Sequence, residues 1–129
     1  MLNQTGITKT VGSAPVQILF NVQNQVSVGV KIAKDFAGAV TENGRKIVKA
    51  GTPLTGDLTD RSTKFTAAGE SNAVGVLLHD VDVTNADANC SLLIWGFVNL
   101  DRVDTTTAAK LTSAVQKSLS GKIWFLKDN

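Results

Sequence analysis

Apolar residues recur at every second position along several stretches of this chain. Val16, Ile18, Phe20 and Val22 alternate with mostly polar neighbours, and Val26, Val28, Val30 and Ile32 repeat the alternation after Gln23-Asn24-Gln25. A period of two is that of a strand with one buried face, so two extended segments joined by a turn are predicted. The first is either one arm of a hairpin within the domain or an attachment strand that adds to the open edge of a partner's sheet. The next alternation is centred on Asn43-Gly44, residues that readily take the positive φ of a type I′ turn. A two-residue loop there sets Glu42 opposite Arg45, Val40 opposite Ile47 and Ala39 opposite Val48, one ion pair and two apolar pairs in a single register. Gly51-Thr52-Pro53 then breaks the strand. Residues 54–72 are rich in Thr, Ser, Asp and Gly, and read as loops with one short strand near Lys64 to Ala67.

Two apolar runs dominate the second half: Ala73 to Val83 and Leu92 to Val98, separated by the polar link Thr84 to Asn89. Both are too short to span a membrane and rich in β-formers, so an antiparallel strand pair is predicted. In the second run Leu92, Ile94 and Val98 should face one way, and Leu93, Trp95 and Phe97 the other. Both faces want cover. One covering element is a helix capped by Asp104 with Ala108, Leu111, Val115 and Leu119 on one side, and Gly121 past its end. Lys122 to Leu126 forms a last strand, again apolar on both sides. The predicted fold is mostly β with one α-helix (α+β), a small β-sandwich or barrel-like domain over residues 23–129. An extended N-terminal arm over residues 1–22 precedes it, its first fifteen residues polar and mobile in the isolated protein.

Composition narrows the function classes. The chain has 129 residues, one domain's worth, and a net charge of +2 with its basic residues scattered, which argues against nucleic-acid binding. The single cysteine, Cys90, starts an apolar strand and reads as a buried reduced thiol. The first twenty residues lack a basic start followed by an apolar run, so synthesis and folding in a cytoplasm are expected.

Chemistry is hard to assemble from the remaining residues. His79, the only histidine, adjoins Asp80, but neighbouring strand residues point to opposite faces and no paired nucleophile is evident. Asp80, Asp82 and Asp87 suggest a calcium loop, yet Asn85 stands where glycine is needed and Ser91 where a bidentate glutamate is needed. Ser118 to Lys122 lacks the first glycine and the strand-to-helix setting of a phosphate loop, and zinc wants more Cys and His than the chain has. No enzymatic activity, metal or cofactor is therefore expected. The excess of apolar strand surface points to an interaction or structural protein.

Three short motifs carry a resemblance: Ile47-Val48-Lys49-Ala50-Gly51-Thr52-Pro53, then Ala73 to Asp82, then Ile94-Trp95-Gly96-Phe97-Val98-Asn99. In order and spacing they resemble the head decoration proteins of lambda-type tailed bacteriophages, over about residues 45–120. The N-terminal forty residues depart from the family, being longer and more strand-like. The resemblance implies a β-rich domain that sits as a homotrimer on the outer surface of the virion capsid. There it would bind the major capsid protein and stabilise the expanded shell against internal DNA pressure. It places the capsid-binding role on the arm, at Val16, Ile18, Phe20 and Val22. A trimer would also cover the doubly apolar strands, which makes Trp95, Phe97, Trp124 and Phe125 the candidate trimer contact, with packing in the subunit's own core as the competing reading. Neither nucleic acid nor membrane is an expected partner. The alternative is a virion-displayed carbohydrate-binding or host-adhesion module, whose mark would be exposed aromatics beside polar loops.

Overall fold

The computed structural model describes residues 17–128. Nine strands are present among them: β1 (Val26–Ile32), β2 (Val40–Glu42), β3 (Arg45–Val48), β4 (Pro53–Thr55), β5 (Lys64–Ala67), β6 (Gly75–Leu77), β7 (Val81–Asp82), β8 (Ala88–Asn99) and β9 (Ile123–Leu126). The larger sheet runs β1-β5-β4-β6-β8-β9, and β1 also pairs with β8, which closes a ring of five strands with β9 outside it. A small sheet, β2-β3-β7, lies apart. The chain is thus mostly β, as its alternation predicts.

The Asn43-Gly44 turn forms with φ of 52° and 78°, and it sets Val40 opposite Ile47 and Glu42 opposite Arg45. The charges, however, look elsewhere. Arg45 pairs with Asp82 on β7, and Glu42 pairs with Lys49 at 3.2 Å. Pro53 does not stop strand formation but opens β4, a position where a missing N–H is harmless. The short strand expected near Lys64 is β5.

The two apolar runs pair antiparallel as predicted, though only over Val76↔Leu93 and Leu77↔Leu92. The predicted facing of β8 is corrected by a bulge. Val26 lies opposite Trp95 while the next residue, Ser27, lies opposite Leu93, so Ile94 is the extra residue. The alternation reverses there. Leu92 and Ile94 pack with Val30, Ile32, Val48, Leu54, Phe65 and Leu77, whereas Leu93 and Val98 join a second cluster with Ile18, Leu19, Val115, Leu119 and Ile123. One strand thereby feeds two cores.

The single helix predicted after Asp104 is two. Asp104 caps α1 (Thr105–Ala108) by accepting from Thr107 N–H, and Thr112 caps α2 (Ser113–Ser118) by accepting from Val115 N–H. Three consecutive threonines are poor helix formers, and a second capping residue so soon after them favours a restart over continuation. Leu111, Val115 and Leu119 still cover the inner side of β8 and β9. A 3₁₀ turn, Leu100–Arg102, leads into them.

Candidate functional site

The C-terminal half of β8 is where exposed apolar residues collect. Its two edges are filled by different partners. On one side, Gly96 N–H donates to the Lys122 carbonyl at 3.0 Å, and β9 runs parallel in the register Gly96↔Ile123, Phe97↔Trp124, Val98↔Phe125. On the other side, Phe20 N–H donates to the Phe97 carbonyl and Asn99 N–H to the Ile18 carbonyl, both at 2.8 Å. The segment Ile18 to Phe20 thus lies antiparallel against β8, with Leu19 opposite Val98. Asn99 fixes the far end. Its buried amide donates to Asp128 and accepts from Asp101 N–H, and Asp101 in turn accepts from Asp128 N–H.

Side chains on the outward face follow from that register. Trp95, Phe97 and Trp124 meet: Trp95 is edge-on to Phe97 at 5.9 Å and to Trp124 at 6.0 Å, and Phe97 stacks on Trp124 at 5.2 Å and 23°. Val26 lies opposite Trp95 in the β1–β8 ladder. Phe20, Val22, Val26, Trp95, Trp124 and Leu126 are 37–54% exposed, and among the described residues Leu58 alone is a comparable apolar group elsewhere. Among the described residues, five of the seven exposed large apolar groups, Phe20, Val26, Trp95, Trp124 and Leu126, therefore lie on or directly beside one half of one strand, and Val22 is in the loop that follows Phe20. Large contiguous apolar patches are uncommon on monomeric proteins, and this is the candidate functional face. The loop Asn21 to Gln25 borders it and packs against Gly96, whose missing Cβ leaves room for Gln25 and the Asn24 carbonyl.

The candidate residues divide accordingly. Val16 lies outside the described residues. Ile18 is wholly buried in the core, while Phe20 and Val22 are exposed on the outward side. Trp95, Phe97 and Trp124 are brought together, but Phe125 alternates inward, half-buried against the second core. Val26 and Leu126 join this face without being among the residues that the sequence pattern marks as candidates. Leu126 was detectable as Trp124's neighbour two positions on; Val26 needed the register.

Polar side chains that suggested chemistry have structural partners. Asp80 accepts from Ala50 N–H at 2.7 Å and pairs with Lys49 at 3.3 Å, and His79 is exposed. Burial pulls the Lys49 ammonium down, but its bond to Glu42 and the Asp80 charge outweigh this and leave it above its ordinary value. Asp82 accepts from the Thr84 hydroxyl and N–H and from Arg45; these hold its carboxyl down to about 2. Asp87 accepts from Lys34 N–H and pairs with Lys64 at 2.9 Å. Burial pushes the Cys90 thiol up to about 11. Among the described residues no three His, Cys, Asp or Glu side chains converge as metal ligands. A cleft of about 260 Å³ is lined by Lys49, Asp80, Arg102 and Asp104, and a second of about 360 Å³ lies between the 3₁₀ turn, α1 and Lys127. No protein-family model matches the chain, and no curated protein matches it in sequence.

Proposed function

We propose that this chain is a head decoration protein of the lambda type, a non-enzymatic component of the outer capsid surface of a tailed bacteriophage. In this reading it is made in the host cytoplasm, assembles on the expanded head as a homotrimer, binds the major capsid protein, and clamps the shell against internal DNA pressure. The ring of strands with its flanking helices is the barrel-like body of such a domain. The observation that supports the reading best is the apolar face around β8. Phe20, proposed on separate grounds for capsid attachment, adjoins the residues proposed for the trimer contact, Trp95, Phe97 and Trp124. A small domain with so much apolar surface on one side completes its burial by joining other subunits. The test is to mix the purified protein with expanded, empty phage heads and measure co-sedimentation and head melting.

One observation favours a second reading, the virion-displayed carbohydrate-binding module. Trp95 and Trp124 stand exposed beside the amide-rich loop Asn21 to Gln25, the arrangement such a module uses. Against it, the two indoles are 83° apart, so they offer a sugar no flat platform. A glycan-array screen with the full chain separates the two readings.

A further inference from the structure

The tip of the β2–β3 hairpin carries chemistry of its own. Asn43 and Gly44 hold φ of 52° and 78°, and both are exposed. Gly44 N–H has no main-chain partner among the described residues, and a Cβ built at Gly44 would meet nothing within 4 Å. The nitrogen that follows the Asn43 side chain is therefore open to solvent and unshielded by a side chain of its own. Asparagine is thermolabile because its amide carbon can close a five-membered ring with the next main-chain nitrogen. No other asparagine of the chain precedes glycine. Asn72 and Asn21, each followed by a residue with a side chain, also hold their amide oxygens on Gly69 N–H at 2.6 Å and Gln23 N–H at 3.0 Å.

The small sheet decides what a change at this tip does. β2 is an edge strand of three residues in the order β2-β3-β7, and β3 alone pairs with its main chain. β3 has a second hold. Val83 N–H donates to the Lys46 carbonyl at 2.9 Å, Lys46 N–H donates to the Thr84 hydroxyl at 2.8 Å, and Arg45 pairs with Asp82.

We propose that Asn43 is a site of spontaneous modification, and that one of its two products releases β2. The Gly44 nitrogen bonds to Asn43 Cγ, the Cγ–Nδ2 bond breaks, and the proton of Gly44 N–H leaves with the ammonia. Water then opens the five-membered imide. Opening at Cγ amounts to Asn43→Asp and keeps the turn, because Asp-Gly also suits type I′. Opening at the main-chain carbonyl gives isoaspartate, whose main chain runs through Cβ and Cγ and is one carbon longer. Hairpin register is fixed by the loop, so the lengthened loop no longer sets Glu42 opposite Arg45. β2 comes away with its Glu42–Lys49 pair, while β3 stays on β7. The inference rests on the turn and the sheet order, and stands whatever the protein binds.

The test holds the full chain at pH 8 and follows it by peptide mass spectrometry and by NMR amide exchange. Asn43 should lose its amide before Asn72 or Asn85, giving two products that co-elute with synthetic aspartyl and isoaspartyl peptides. In the isoaspartyl fraction the amides of Val40 to Glu42 should lose protection while those of Lys46 and Val83 keep theirs. Asn43→Asp should retain β2 protection when fresh. Asn43→Gly, whose Gly-Gly turn also suits type I′, should retain it throughout. Amide loss at Asn43 no faster than at Asn72 and Asn85 would overturn the proposal. So would a β2 that stays protected in the isoaspartyl fraction, or one that is lost equally in Asn43→Gly.

Discussion

Replacing Trp95 with alanine separates what the outward face does for the fold from what it does for assembly. Within the subunit the indole makes two edge-to-face contacts, at 5.9 and 6.0 Å, with Phe97 and Trp124. Such contacts contribute about 0.5–1.5 kcal/mol each, and with one side open to solvent the variant should lose about 1–2 kcal/mol of folding stability. The remaining 39% of the residue is exposed. For a tryptophan of about 250 Å², that is roughly 100 Å² to be buried by a neighbour, or about 2.5 kcal/mol per contact. Self-association, or occupancy on heads, should weaken by close to a hundredfold. Guanidinium unfolding reads the first quantity, and sedimentation equilibrium with head co-sedimentation reads the second. Leu58→Ala is the control, because Leu58 is 40% exposed but lies in the loop between β4 and β5. Association of Trp95→Ala equal to that of Leu58→Ala, despite the loss in folding stability, would refute the assignment of this face to assembly.

Other perturbations probe the fold beneath it. Gly75→Ala should destabilise the domain by about 1–3 kcal/mol, since a Cβ there runs into the Leu93 carbonyl and approaches Leu92 Cγ at 2.9 Å; an unchanged denaturation midpoint would contradict the β6–β8 packing. Asp82 is held below its unfolded value of 3.8, down to about 2, first by the Thr84 hydroxyl. Its contribution to stability is therefore present above about pH 4 and lost as pH falls through 2. A carboxyl NMR titration should show that low midpoint, and Thr84→Val should raise it. Cys90, raised to about 11 by burial, should react with iodoacetamide at pH 8 roughly a hundredfold more slowly than a free thiol; equal rates would show the strand end to be open.

Local chemistry was legible where few residues decide the outcome. Asn43-Gly44 specifies both its turn and its register, because positive φ at two successive positions admits few other residues. The Asp104 cap was legible for the same reason, but the helix behind it was not. Leu111, Val115 and Leu119 keep helical spacing across the break at Thr112, so periodicity alone reads through it. The faces of β8 were misread because the bulge at Ile94 reverses the alternation, and a bulge is visible only in the pairing with β1. The outward face was half legible. Trp95, Phe97 and Trp124 stand out by residue type. Whether they meet depends on parallel pairing between strands far apart in sequence, which also turns Phe125 inward, while antiparallel contacts with β8 draw Phe20 and Val26 alongside. Ile18 shows the opposite error: an alternating residue assigned to a free arm belongs to the core.

The proposed function stands on what the apolar face binds, and the most direct measurement is calorimetry of expanded, empty phage heads with and without this protein at saturating concentration. Bound protein should raise the temperature of head disruption, and Trp95→Ala should raise it less at the same total concentration. Heads that neither bind the protein nor melt at a higher temperature in its presence would contradict the account.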